Sequence, residues 1–219
     1  MYKTVLFDLD GTLTDSGRGI INSVLFALKK YDIQVEDLSI LQNFLGPPLQ
    51  DSFQKYFHFS DEEIPVVIDT YREYFRSKGM FENEVYKGVP ELLEQIKSSG
   101  RKLIVATSKP EAFSYTILKH FHLDKYFDFI AGATMDGIRG SKPDIIRYAL
   151  DTLGITDLSS VEMVGDRMYD IYGAKEIGID SVGVLYGYGS EEELRNAGAT
   201  YIAKCPEDIA YIIEGQKVR

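Results

Sequence analysis

The chain has 219 residues, 44% of them hydrophobic and 26% charged, with no compositionally biased stretch. That composition describes a globular protein long enough for one domain with an inserted subdomain, or for two modest domains. A net charge of −10 disfavours a nucleic-acid backbone or an anionic membrane as the main partner, and a lone Cys205 excludes both an intramolecular disulfide and a thiolate metal cluster.

The first strand pattern, Thr4–Asp8, opens the chain with no basic segment and apolar signal core before it, and no apolar run approaches bilayer-spanning length. A soluble, cytoplasmic protein is expected. Short apolar, β-branched runs follow at Lys102–Thr107, Phe129–Gly132, Val161–Gly165, Ser181–Leu185 and Tyr201–Ala203. Amphipathic segments around Pro90–Ser98, Ala112–Phe121, Pro143–Leu153, Ile171–Ile177, Glu191–Ala197 and Glu207–Glu214 lie between or beyond them. Apolar strands separated by helices predict a parallel sheet covered on both faces.

One stretch breaks the alternation. Between Gly17 and Asn83 the apolar residues recur at helical spacing, with Ile20, Ile21, Val24, Leu25 and Leu28 on one stripe and Ile64, Val67, Ile68, Tyr71 and Phe75 on another. Leu49, Phe53 and Phe57 recur at intervals of four between them. The expected organisation is a core of residues 1–16 and 84–219, with residues 17–83 inserted as a helical cap over the loop after the first strand.

That loop carries the chemistry. Val5-Leu6-Phe7 delivers Asp8 and Asp10, one residue apart, into a turn at Gly11-Thr12. Alternation along an extended chain turns both carboxylates to one side, where they repel unless a cation or a shared proton intervenes. Two more strands end in polar groups: Thr107-Ser108-Lys109 after Leu103–Ala106, and Gly165-Asp166, with Asp170 beyond, after Val161–Val164. In an open parallel sheet ligands bind beyond the carboxyl ends of the strands, so these groups can converge. Asp8, Asp10 and Asp166 offer oxygen ligands of the kind Mg²⁺ prefers. Thr107 and Ser108 offer donors to an anion beside a helix start, and Lys142, just before Pro143, can neutralise both Asp8 and a phosphate. Each has a plainer account, as turn former, helix cap or solvated lysine, and their joint occurrence in order favours the chemical one.

In this combination the sequence resembles the haloacid-dehalogenase superfamily of phosphatases, specifically its phosphoglycolate-phosphatase-like branch with a helical cap. The motifs are Asp8-Leu9-Asp10-Gly11-Thr12-Leu13, Thr107, Lys142-Pro143 and Gly165-Asp166-Arg167-Met168-Tyr169-Asp170, spread over essentially the whole chain. The resemblance implies an α/β, Rossmann-like three-layer core with an all-α cap. It implies Asp8 as nucleophile forming an aspartyl-phosphate and Asp10 as proton donor and then base. Thr107 and Ser108 would bind the phosphoryl group, and Lys142 would hold Asp8 and the phosphate in register. Mg²⁺ would be ligated by Asp8, the backbone carbonyl of Asp10, and Asp166, with Asp170 orienting a metal water or Lys142.

An acid at Asp10 suits an ester leaving group, since a departing halide needs no proton. A small-molecule phosphate ester is the expected partner, with phosphoglycolate, a nucleoside monophosphate (a 5'-nucleotidase reading) and pyrophosphate as the first substrates to consider. A sugar-phosphate mutase is disfavoured because Asp15-Ser16-Gly17-Arg18-Gly19-Ile20 lacks the histidine such enzymes carry there. A non-catalytic regulator is disfavoured because every motif position is occupied. Specificity is expected from the cap, with Arg18, Gly46 and Pro47 as candidates and Lys109 at the rim. Tyr186-Gly187-Tyr188-Gly189 reads as a rim loop without a catalytic role. A monomer or weak homodimer is expected.

Overall fold

The structure, a computed structural model, describes residues 2–215; residue 1 and residues 216–219, at the ends of the expected core, lie outside them. The chain divides into two compact units, Met1–Thr14 with Val85–Arg219, and Asp15–Glu84.

The larger unit is built on strands β1 (Thr4–Phe7), β4 (Lys102–Pro110), β5 (Phe129–Ala133), β6 (Val161–Gly165), β7 (Asp180–Val184) and β8 (Tyr201–Ala203). They form one six-stranded sheet in the order β5-β4-β1-β6-β7-β8, with every pairing parallel. The short strands β2 (Thr14–Asp15) and β3 (Glu84–Val85), which pair where the chain passes from one unit to the other, were not foreseen; two residues carry no period. All four residues of β1 are buried, as expected of a strand covered on both faces.

Between the strands run α4 (Val89–Ser98), α5 (Glu111–His120), α6 (Lys142–Thr152), α7 (Met168–Ile177), α8 (Glu191–Ala197) and α9 (Pro206–Ile213). Ile145, Ile146, Ala149 and Leu150 of α6 and Ala174 of α7 pack on Leu6, Ile104, Ala106 and Met163 of the sheet. β1 lies between β4 and β6, where the winding of the chain reverses. Such a reversal opens a crevice beyond the carboxyl ends of the strands, and that is where β1 delivers Asp8.

The smaller unit holds α1 (Gly17–Lys29), α2 (Leu49–Phe57) and α3 (Ile64–Ser77). Its core is aromatic: Phe44 meets Phe53 edge to face at 5.0 Å, Phe53 meets Phe59 at 5.7 Å, and Tyr71 stacks on Phe75. In so small a unit large rings supply the apolar area that fewer aliphatic side chains could not. Gly19 is packed so closely on the Gly79 carbonyl that a Cβ there would lie 1.9 Å from its oxygen.

Candidate active site

The turn after β1 is held by backbone. The Leu9 carbonyl accepts from the amides of Thr12, Leu13 and Thr14, and Gly11 donates to Thr14. Gly11 sits at φ +79°, where a Cβ would stand 2.1 Å from Asp166 Oδ2. The glycine therefore serves two ends: it permits the left-handed backbone and leaves room for the carboxylate.

Lys142 is the first residue of α6 and is buried, with its Nζ 3.0 Å from Asp8 Oδ1 and 2.7 Å from Asp170 Oδ1, and donating to the Ala106 carbonyl at 3.0 Å. A cation at a helix N-terminus opposes the helix dipole, so the site itself must hold it there. Burial acts to lower the ammonium's pKa, but Asp170 and Asp8 outweigh it and raise it above the ordinary lysine value. Asp170 is pushed up to about 6, chiefly by burial, with Lys142 acting against the rise. Its Oδ2 accepts from the Arg167 amide at 3.1 Å.

Asp166, just past β6, is fully buried and its carboxyl is pushed well up, first by burial and then by Asp170 and Asp8. It accepts from the Tyr188 amide at 2.8 Å and from Thr12 Oγ1 at 3.4 Å. Carboxylate oxygens of Asp8, Asp166 and Asp170 lie within 4.8 Å of one another. Three acids against one ammonium leave an excess of negative charge in a dry site. Asp8 Oδ1 and Asp170 Oδ1 share the single Lys142 ammonium, at 3.0 and 2.7 Å. Hard, closely spaced carboxylate oxygens in excess of their one ammonium fit a hard divalent cation. Asp170, expected to orient a metal water or Lys142, stands in this cluster with Asp8 and Asp166; the ligand expected from Asp10 is its backbone carbonyl, which is not a member of a carboxylate cluster.

Asp10 has another partner. Lys109, expected at the rim, has a side chain only 7% exposed, with its Nζ 2.5 Å from Asp10 Oδ2. The strand explains the difference: β4 runs on to Pro110, past a register shift after Thr107, and carries Lys109 inward. Thr107 and Ser108 accordingly belong to the strand and not to a helix start, since α5 begins at Glu111. Thr107 is buried and its Oγ1 accepts from the Lys109 amide at 3.3 Å, whereas Ser108 is exposed.

The loop Tyr186-Gly187-Tyr188-Gly189 is more than a rim. Besides the Tyr188 amide on Asp166, Tyr186 donates its hydroxyl to the Thr12 carbonyl at 3.1 Å. A Cβ on Gly187 would meet Asp166 Cβ at 2.3 Å, and one on Gly189 the Asp166 carbonyl at 2.0 Å. The two glycines, alternating with tyrosines, were the available signal that backbone here approaches something closely. Arg18, Gly46 and Pro47 belong to the helical unit, with Arg18 and Gly46 exposed and Gly46-Pro47-Pro48 leading into α2.

The sequence pattern of the Haloacid dehalogenase-like hydrolase family matches residues 5–184, and the chain belongs to that family. It is thus an enzyme of the hydrolase type on an α/β core. Among its relatives is a 5'-nucleotidase of Pseudomonas aeruginosa, 45% identical over 194 residues that cover 89% of this chain and 87% of that protein. A protein of Mycobacterium tuberculosis named tyrosine-protein kinase PtkA is 38% identical over 200 residues, 91% of this chain and 68% of that one. The crystal structure of a predicted phosphatase from Clostridium acetobutylicum matches with a TM-score of 0.94 at 52% identity, covering 98% of this chain and 99% of that one. No helix among the described residues is long and apolar enough to cross a membrane.

Proposed function

We propose that this hydrolase is a Mg²⁺-dependent phosphatase that cleaves a small-molecule phosphate monoester through an aspartyl-phosphate on Asp8. The observation that carries the reading is the buried Lys142 ammonium on Asp8, at the end of the central strand, beside two further carboxylates. An amine there neutralises the attacking carboxylate and an incoming phosphate together. Asp8, Asp166 and Asp170 would hold the cation, which supplies charge neutralisation to the transferring phosphoryl group.

In the first step an Asp8 carboxylate oxygen bonds to phosphorus as the ester P–O bond breaks, and Asp10 gives its proton to the departing alkoxide. In the second, Asp10 takes a proton from water, whose oxygen bonds to phosphorus while the Asp8–phosphorus bond breaks and phosphate leaves. Lys109 holds Asp10 in the structure at hand. For Asp10 to act as acid, that ammonium must turn away, and the phosphoryl oxygens are a fitting acceptor for it. Thr107 would hydrogen-bond the same oxygens.

A second reading, transfer of the phosphoryl group from Asp8 to another hydroxyl, draws on the kinase name of the mycobacterial relative. Both readings pass through the same intermediate, and the acceptor separates them. Rapid quenching with a ³²P-labelled ester should trap label on the wild type and none on Asp8→Asn, with inorganic phosphate as the sole phosphorylated product. Turnover by Asp8→Asn would overturn the mechanism; label accumulating in a second organic ester would favour transfer over hydrolysis.

A further inference from the structure

Asp166 follows β6 and Asp170 lies in the first turn of α7. The spacing of these two members of the carboxylate cluster is therefore set by how the chain passes from strand to helix at Arg167 and Met168. One hold on that passage comes from inside the cluster, where the Arg167 amide donates to Asp170 Oδ2 at 3.1 Å.

The other comes from outside it. Glu193, in the first turn of α8, accepts through a single oxygen, Oε1, from Arg167 Nε at 2.8 Å and from the Met168 amide at 2.9 Å. That amide is one of the donors a helix start leaves without an intrahelical partner, and a carboxylate there also suits the positive end of the helix dipole. The two side chains are only 16% and 22% exposed, so the pair is sheltered from the screening that weakens surface ion pairs.

Glu193 is itself fixed. Ser190 caps α8 by accepting from the Glu193 amide at 3.1 Å, and Leu194 and Ala197 of α8 pack with Ile171 of α7. Ser190-Glu191-Glu192-Glu193 has the spacing at which serine and glutamate cap one helix start together, yet the glutamate's Oε1 serves the neighbouring helix. Glu191 and Glu192 beside it are exposed.

We infer that Glu193 is a positioning residue of the cation site, which sets the spacing of Asp166 and Asp170 and so favours a small divalent cation over a larger one. The inference rests on the cation reading of the carboxylate cluster and adds to it a residue that touches neither cation nor substrate. Groups behind metal ligands orient them, and losing one typically costs about ten- to a hundredfold in metal affinity. Mg²⁺ demands near-ideal octahedral geometry, whereas Ca²⁺ accepts a larger and more flexible shell. A strand-to-helix passage released from Glu193 therefore penalises Mg²⁺ more than Ca²⁺.

Calorimetric titration of the metal-stripped, intact protein with Mg²⁺ and, separately, with Ca²⁺ reads this without turnover. Glu193→Ala should weaken Mg²⁺ by roughly ten- to a hundredfold and Ca²⁺ by less, so that the ratio of the two affinities falls. Glu193→Gln keeps an oxygen acceptor for the Met168 amide; it should shift the ratio in the same direction by less, and it carries the test if the alanine variant fails to fold. Glu192→Gln, one residue away and exposed, should bind both cations as the wild type does. Unchanged Mg²⁺ affinity in both Glu193 variants, an equal loss of Mg²⁺ and Ca²⁺, or the same loss in Glu192→Gln would overturn the inference and leave the cation site standing on its carboxylates. A wild type that binds neither cation would instead overturn the cation reading, and the role of Glu193 with it.

Discussion

Lys142→Met removes the ammonium in contact with both Asp8 and Asp170 while keeping most of the buried stem. At an effective dielectric of about 20, unit charges this close attract by roughly 5–6 kcal/mol per pair before desolvation. Withdrawing each ion from water takes several kcal/mol back, so the intact arrangement is worth little to stability. Removing one partner is different. The desolvation of the carboxylates remains and the compensation is gone, a loss of about 3–5 kcal/mol. For a chain of this size that lowers Tm by about 6–20 °C, at about 2–4 °C per kcal/mol. The assay is thermal and urea denaturation in chelator at neutral pH, on the wild type, Lys142→Met, Asp170→Asn and the double variant. Because Asp170→Asn removes one of the stranded charges, the double variant should lose less than the sum of the singles, by about 0.5–3 kcal/mol. A Lys142→Met loss below about 1 kcal/mol, or strict additivity in the cycle, would refute the account of a charge-compensating lysine.

Three further outcomes are expected. Chelation should abolish phosphate release, and Mg²⁺ should restore it and raise Tm, since a ligand of the native state alone stabilises it; activity persisting in excess chelator would contradict the carboxylate cluster as a cation site. Gly187→Ala drives a methyl into Asp166, so turnover should fall about a hundredfold, as expected of a displacement near 1 Å, with a stability loss of about 1–3 kcal/mol; near-wild-type turnover would mean that the loop does not position Asp166. Glu162, fully buried in β6 with neither carboxylate oxygen hydrogen-bonded among the described residues, has its pKa pushed well above the ordinary 4.5 by burial and by Asp180. A raised carboxyl pKa gives stability that is complete below the unfolded value and lost as pH rises through the folded one. Glu162→Gln should therefore gain on the wild type steadily as pH rises from about 5 to about 8, read as a growing difference in urea midpoint. A gain that shrinks with rising pH would show the sign to be wrong.

The parallel sheet was legible because each of its six strands is a short apolar run, such as Thr4–Phe7 and Val161–Gly165, set off by helical patterns. The convergence of Asp8, Lys142, Asp166 and Asp170 was legible for a related reason: each follows or closely adjoins a strand end or a helix start, and parallel topology sends those ends to one side. What escaped depends on contacts that no local pattern encodes. Lys109 is expected at the rim, and its pairing with Asp10 follows only once the strand is known to continue to Pro110. Tyr188 contributes through its backbone amide, which every residue but proline possesses.

The position of β1 also bears on how this enzyme is made. Thr4 pairs with Lys102 on one side and with Val161 on the other, so the strand that carries Asp8 has no neighbour close in sequence. Contacts of such separation form late, because long stretches of chain must be brought together before any pairing repays them. On the ribosome, β1 emerges before β4 and β6 and cannot be flanked on both sides until β6 has been synthesised. A nascent chain interrupted before β6 lacks Asp166 and Asp170 as well as half the support for Asp8. Prematurely terminated fragments should therefore be catalytically silent, and the exposed edge of an unpartnered β1 marks them for capture by chaperones or for aggregation.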